Sequence, residues 1–367
     1  MVVKKAWNCY IQDINKKTYI DTTMGSGAQI IGHNNPLIRK TYKQIKKGTI
    51  YTVPNYHTEK VNSLLFKINP KLYKEYIFCS TGTEANMRAI RLARAYTDKT
   101  LIGRFHGGWH GGLDGFIDSK GVPNTSNNLI KVLPYNDDRC FDQITPDFAA
   151  VIIEPVQGSN PREDIGPFLT KLREVCTNKG VLLILDEVMT GFRLGCSGGA
   201  GLFNIDPDIV TYGKVLGGGF PIGAVGGKED IIKTKDVFYG GTFSANPLSM
   251  YSAKLILNTI LNKKLIKYKH LNYIGNLFRG EANNIFNEKQ LSMQAIGCGP
   301  INRIIFTNKF IKNRKDRDKL ETSSKQFYNI LNSKGVFINT NGIIHLSMCH
   351  DVVVVKKLLK YISEYTN

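Results

Sequence analysis

Apolar positions along the chain gather into short, nearly unbroken runs. They are YIFCS (76–80), TLIGRF (100–105), AAVIIEP (149–155), VLLILDEV (181–188), DIVTYG (208–213) and IGAVGG (222–227). Runs of this length without polar alternation suit strands that are buried on both faces. Helical periodicity fills the gaps between them, so the order predicts βαβ units around a mostly parallel sheet, an α/β fold. In TGTEANMRAIRLARAY, Ala85, Ala89, Leu92, Ala93 and Tyr96 share one helical face, and Arg88, Arg91 and Arg94 another. The pattern changes after about Asn246. The next forty residues read as long amphipathic helices and GCGPINRIIFTNK as a turn and strand. The chain then runs through GVFINTNGIIHLSMCH into a final helix. The expected organisation is a large domain over 41–245 and a smaller α+β domain made of 246–367 with the N-terminal segment 1–40.

Composition narrows the class. Of 367 residues, 42% are hydrophobic and 22% charged, which excludes global disorder. No apolar run reaches the roughly 18–20 residues that span a bilayer. The start, MVVKKAWNCYIQD, has no apolar segment after its charges, so no secretory signal is expected. Seven cysteines, an odd number without any C-x-x-C, suit a reduced cytoplasmic protein better than a disulfide scaffold or zinc site. The net charge of +19 comes from scattered basic residues. Its densest stretch, NKFIKNRKDRDK, carries acids and lacks aromatics. The charge therefore reads as solvated surface, with anionic small molecules as the other reading and no nucleic acid or membrane partner expected.

In parallel sheets, ligands bind beyond the carboxyl ends of the strands. After YIFCS come Thr81, Gly82 and Thr83, with Glu84 opening a helix. Free backbone N–H groups beside two hydroxyls suit a phosphate, and an ordinary helix cap is the alternative. After TLIGRF comes HGGWHGG. Trp109 either stacks on an aromatic ligand or plugs a core gap. His106 and His110 are spaced for a metal, but the glycines around them argue against a helix, and no metal is expected. After VLLIL comes Asp186, a carboxylate at a strand end. After DIVTYG comes Lys214, followed by Gly217–Gly219; a desolvated amine there becomes a nucleophile for carbonyls. A phosphate cradle, an aromatic stacker, a carboxylate and a nucleophilic lysine are together what pyridoxal 5′-phosphate requires.

On these residues the sequence resembles the class III, fold-type I aminotransferases, and within them glutamate-1-semialdehyde 2,1-aminomutase. The resemblance runs from DTTMGSGAQIIGHNNP through STGTEANMRAIRLAR, FHGGWHGG, IIEPVQG, LILDEVMTGFRLG, DIVTYGKVLGGGFPIGAVGG and YGGTFSANPLSM to HLSMCH. It implies that Lys214 forms an imine with the cofactor's aldehyde and shuttles the proton, and that Asp186 pairs with the pyridinium. Trp109 would stack on the ring, Val188 pack on its opposite face, and Thr81, Gly82 and Thr83 hold the phosphate. Thr242 in GGTFSANP would reach the phosphate bound in a neighbouring subunit, which implies a homodimer with shared active sites. The reaction implied is amino-group transfer between a small-molecule donor and an aldehyde or ketone, with the aminomutase reaction and a non-catalytic binding protein as alternatives. Departures are visible too. Class III enzymes that use 2-oxoglutarate often carry a Glu after the Glu-Pro motif, where this chain reads Ser159 and Asn160. They also carry an Arg where it reads His345. Ser26 stands where the aminomutase has an aromatic, and the aminomutase's N-terminal arginine has no evident counterpart.

Overall fold

The structure, a computed structural model, describes residues 1–117, 119–123, 128–262, 265–322, 325–339 and 341–365. The chain divides into two units. The larger comprises Lys40–Gln157 and Asp164–Asn262; the smaller comprises Met1–Arg39, Gly158–Glu163 and Lys263–Asn367.

The chain opens in the smaller unit on a meander of β1 (Val3–Trp7), β2 (Tyr10–Asp13) and β3 (Thr18–Asp21). The larger unit then supplies β4 (Ile77–Cys79), β5 (Leu101–Phe105), β6 (Ile130–Leu133), β7 (Phe148–Ile153), β8 (Leu182–Asp186), β9 (Ile209–Tyr212) and β10 (Gly223–Gly227). These seven form one sheet in the order β4-β10-β9-β8-β7-β5-β6. Strands β5 to β9 run parallel. Strand β10 is antiparallel to both its neighbours, so β4 points with the parallel set. All six apolar runs are strands of this sheet. The hydrophobic pattern missed β6, an edge strand whose exposed Lys131 and Val132 interrupt its apolar character.

Both faces of the sheet are covered, which is why its strands read as continuous apolar runs. In β7, Val151 and Ile153 enter the core under the helix Gly166–Lys179, while Ala150 and Ile152 enter the core under the helix Gly82–Thr97. That second helix corrects the expected faces. Ala85, Ala89, Leu92 and Ala93 are buried as expected, but Tyr96 is exposed and Arg88, placed on the polar face, is only 2% exposed. A buried guanidinium needs acceptors. Arg88 donates to the carbonyl of Phe78 (2.7 Å), the carbonyl of Gly240 (3.0 Å) and the Ser244 hydroxyl (3.0 Å).

The helix Pro247–Leu261, expected in the smaller domain, lies in the larger unit, where it packs on the helix Tyr56–Ile68. In the smaller unit, β11 (Gln294–Cys298), β12 (Ile301–Ile305), β13 (Val336–Phe337) and β14 (Ile343–His345) follow. Strand β13 joins the meander beside β3, and β11-β12-β14 form an antiparallel sheet.

Glycine in β10 marks close approach rather than flexibility. A Cβ on Gly223 would lie 2.2 Å from the Thr81 carbonyl oxygen. Backbone, not a mobile side chain, blocks it. Gly223→Ala is expected to lower stability by about 1–3 kcal/mol, the usual cost of overpacking, read from the urea midpoint. An unchanged midpoint would show that the Thr81 loop yields freely.

Candidate active site

The strand directions place six carboxyl ends along one edge of the sheet. Just past them stand Thr81 (after β4), Trp109 and His110 (after β5), Glu154 (after β7), Asp186 (the end of β8) and Lys214 (after β9). Side chains more than 130 positions apart in sequence thus share one edge because the crossovers all return the chain in the same direction.

Asp186 is 1% exposed and fully engaged. Its Oδ2 accepts from Asn86 Nδ2 (2.8 Å) and from His110 Nδ1 (2.7 Å), and its Oδ1 accepts from the Val188 N–H (3.0 Å). Asn86 is fixed in turn. It donates to the His110 carbonyl (3.0 Å) and accepts from the Thr211 hydroxyl (2.7 Å). The adjacent acid, Glu187, serves the fold instead. It accepts from the N–H groups of Gly199 and Ala200 and from the Thr190 hydroxyl, capping the helix Gly198–Phe203. Burial pushes its carboxyl up to about 7.

Thr81 caps the helix Gly82–Thr97, its hydroxyl accepting from the Glu84 N–H (3.1 Å), while Glu84 reaches back to the Ser80 N–H (2.9 Å). This capping box leaves the first N–H groups of the helix free to bind an anion. The HGGWHGG loop closes directly onto it. Gly111 has φ +96°, and a Cβ there would fall 2.3 Å from the Thr83 hydroxyl. On the other side, a Cβ at Gly82 would strike Val188 at 2.7 Å. Trp109 is 65% exposed and plugs no core gap; its backbone N–H donates to Glu154 Oε2 (2.9 Å).

Lys214 opens a 3-10 turn, Lys214–Gly217, with φ +39°, a conformation that side chains other than glycine rarely adopt. Gly218 and Gly219 continue at positive φ, and the Ser252 hydroxyl donates to the Gly217 carbonyl (2.7 Å). Among the described residues no acceptor binds the lysine amine. Burial lowers its pKa from the ordinary lysine value; Glu154 and Asp186 oppose that shift and Arg193 adds to it. Burial also pushes the Glu154 carboxyl up to about 7, partly offset by His110.

Thr242 lies apart from these groups. It sits on an exposed stretch between Phe238 and Phe243, also exposed, which Arg88 holds at Gly240 and Ser244 and Arg91 holds at the Phe238 carbonyl. Ser26 belongs to the smaller unit, in a tight turn where Gly25, Ser26 and Gly27 all have positive φ. Glu154 and Asn86 were not singled out from sequence, and His110 and Arg88 were noted there only for a metal-like spacing and a helical face. The residue after the β7 run would have marked Glu154 by the strand-end rule, and the others carry no local signal.

The aminotransferase class-III family model matches residues 1–365. The chain belongs to the class-III aminotransferases. It is 35% identical to the glutamate-1-semialdehyde 2,1-aminomutase of Sulfolobus acidocaldarius, an alignment covering 98% of this chain and 90% of that protein. It is 32% identical to the enzyme of the same name from Methanosphaera stadtmanae, over 91% of this chain and 84% of the relative. Among solved structures, an omega-transaminase from Sphaerobacter thermophilus matches with a TM-score of 0.90 at 26% identity, covering 99% of this chain and 90% of that one. A β-phenylalanine aminotransferase from Variovorax paradoxus matches with 0.89 at 27%, covering 99% and 86%. This class-III aminotransferase therefore has the fold-type I architecture and is an enzyme that uses pyridoxal 5′-phosphate. The residues present fit that group, since an amine without a partner, a glycine-lined anion cradle and a fixed carboxylate occupy one sheet edge.

The Glu154–Trp109 contact makes a measurable forecast. The protein has two tryptophans, so a Trp7→Phe background isolates Trp109. Below about pH 7, Glu154 is protonated and its hold on the Trp109 N–H weakens. Emission of the cofactor-free protein should change with a midpoint near that value, and Glu154→Gln should abolish the transition. A transition that persists in Glu154→Gln would assign the titration to another group.

Proposed function

We propose that this class-III aminotransferase moves an amino group from a small-molecule donor to a separate aldehyde or ketone, with Lys214 as the residue that bonds the cofactor and carries the proton. The observation that supports this most is the desolvated Lys214 amine, unpartnered at the same sheet edge as the fixed Asp186 carboxylate. A lysine with a lowered pKa is neutral for a larger fraction of the time, so it can accept a proton as well as return one. Pyridoxal phosphate, when bound, supplies an electron sink for charge developing at the substrate carbon. Asp186 would hold a proton on the ring nitrogen, kept in place by His110 and Asn86. Trp109 and Val188 would flank the ring. Thr81, Gly82 and Thr83 would take the phosphate through helix N–H groups and hydroxyls. Thr242, exposed and pinned by Arg88, would serve the phosphate of a second subunit in a homodimer with shared sites. We place the enzyme in the cytoplasm; its seven free cysteines support this, and among the described residues no helix is long and apolar enough to cross a membrane.

An external donor is favoured by the Ser26 turn, which presents a small, exposed side chain between two glycines rather than a bulky cover. The aminomutase reaction is the second reading, favoured by the names of the relatives at 31–35% identity.

Lys214→Ala should lose turnover by about 10²–10⁴-fold, the range for a positioned acid–base group, and release the cofactor on dialysis. Asp186→Asn should keep the fold and lose on the order of 10²-fold; near-normal rates would mean that another group protonates the ring. Mixed and refolded Lys214→Ala and Thr242→Ala subunits should recover part of the activity, since some heterodimers own one complete site. No rescue beyond either parent removes the shared-site claim. The aminated enzyme given glutamate-1-semialdehyde without a donor should turn over once at most; sustained formation of 5-aminolevulinate would establish the mutase instead.

A further inference from the structure

Two buried carboxylates end adjacent strands of the central sheet. Ile153 of β7 and Leu185 of β8 are the last partners in the parallel register, so Glu154 and Asp186 follow side by side. Asp186 pairs in turn with Thr211 of β9, and Lys214 stands three residues further on. Three neighbouring strands thus bring two acids and one amine to the same end of the sheet.

The two acids differ in their partners. Asp186 is saturated by three donors, from Asn86, His110 and Val188. Among the described residues Glu154 receives one, the backbone N–H of Trp109 (2.9 Å). A buried carboxylate with a single donor needs a counter-charge nearby. The charged groups that face Glu154 are His110 and Lys214, which favour its ionised form, and Asp186, which opposes it. Those that face Lys214 are Glu154, Asp186 and Arg193; Glu154 bears on it most, and Arg193 is the like charge. Among the described residues no carboxylate forms an ion pair with the lysine amine, so Glu154 acts on its charge through space and leaves its N–H groups unoccupied.

We infer that Glu154 is a positioning residue for the Lys214 proton: its carboxylate, held by the Trp109 backbone N–H beside Asp186, is the counter-charge that keeps a proton on the amine. The inference rests on the proposed role of Lys214 as the residue that bonds the cofactor and carries the proton. While Glu154 is ionised, Lys214 holds its proton; when Glu154 takes one up, the counter-charge is gone and Lys214 releases its own to solvent. Burial pushes the Glu154 carboxyl up to about 7, so at and above neutral pH the counter-charge is present. The two groups titrate as a pair, and the coupling is reciprocal, so it can be measured from either side.

Both measurements use the cofactor-free full-length protein without turnover, so they stand apart from the aminotransfer proposal. Competitive acetylation with isotope-labelled acetic anhydride, followed by mass spectrometry of the peptide that bears Lys214, gives the pH midpoint of that amine. Glu154→Gln keeps an acceptor for the Trp109 N–H and removes only the charge. It should move the Lys214 midpoint about one pH unit lower, the effect of losing a nearby opposite charge. Glu154→Asp, which keeps the charge, should stay closer to the parent. From the other side, Lys214→Ala in the Trp7→Phe background should move the midpoint of Trp109 emission upward by the same amount, because Glu154 has lost its cation. This second arm measures the coupling even if Glu154→Gln does not fold. The acid limb of pyridoxal 5′-phosphate uptake, followed by absorbance, should move down with the acetylation midpoint in Glu154→Gln. The proposal fails if the Lys214 midpoint is the same in Glu154→Gln and the parent, or if the emission midpoint stays in place in Lys214→Ala. It also fails if Glu154→Gln slows acetylation at every pH without moving the midpoint, which would leave Glu154 as a support for the Trp109 backbone alone. Moved midpoints in an enzyme that turns over no amino donor would remove the aminotransfer reading and leave the Glu154–Lys214 pair standing.

Discussion

A carboxylate that water cannot reach must find all its partners inside the protein, and Asp186 is that carboxylate. Leaving it unsatisfied would cost several kcal/mol. Its three hydrogen bonds come from the helix Gly82–Thr97, the HGGWHGG loop and the turn after β8. Meeting the demands of one side chain therefore draws three distant segments together. The helix start that Thr81 caps belongs to the same helix that sends Asn86 to Asp186. The loop that carries Trp109 is placed by His110. Much of the site's architecture follows from one buried charge and the neighbours it requires.

Backbone freedom is spent where those segments crowd. Gly111, Gly82 and Gly223 lie so close to Thr83, Val188 and Thr81 that a single added carbon would collide. At Lys214 the positive φ falls on a residue with a side chain, with glycines after it at Gly217, Gly218 and Gly219. The turn keeps the amine at the edge of the sheet, in surroundings that disfavour its charge. Arg88 extends the arrangement outward. Buried at the helix that opens on the cradle, it holds the backbone and hydroxyl of the segment bearing Thr242.

Two buried acids stand side by side after β8, and they divide their work by what they touch. Asp186 meets an imidazole and an amide; Glu187 meets the first N–H groups of a short helix. Nothing in the letters Asp-Glu assigns those roles. The same holds for arginine. Of the three on the Gly82 helix, Arg88 is internal, because the acceptors able to receive it are the carbonyls of Phe78 in β4 and of Gly240 and the hydroxyl of Ser244.

The sequence by itself determined the sheet. Strands buried on both faces must be apolar throughout, so six of the seven central strands were legible as runs, and the polar residues after them marked Thr81, Asp186, Lys214 and the Trp109 loop. The edge strand β6 was not legible, since an edge position tolerates the exposed Lys131 and Val132. The helix Pro247–Leu261 was read into the wrong unit because its apolar pattern says that it packs but not on which neighbour. Tertiary structure alone decided that His110, Asn86 and Thr211 support Asp186 and that Glu154 holds the Trp109 backbone N–H. Hydrophobic periodicity is a local property set by which faces lose water. Pairing of buried charges and hydrogen bonds depends on which chain segments the fold brings within about 3 Å, and that distance is written in no single stretch of sequence.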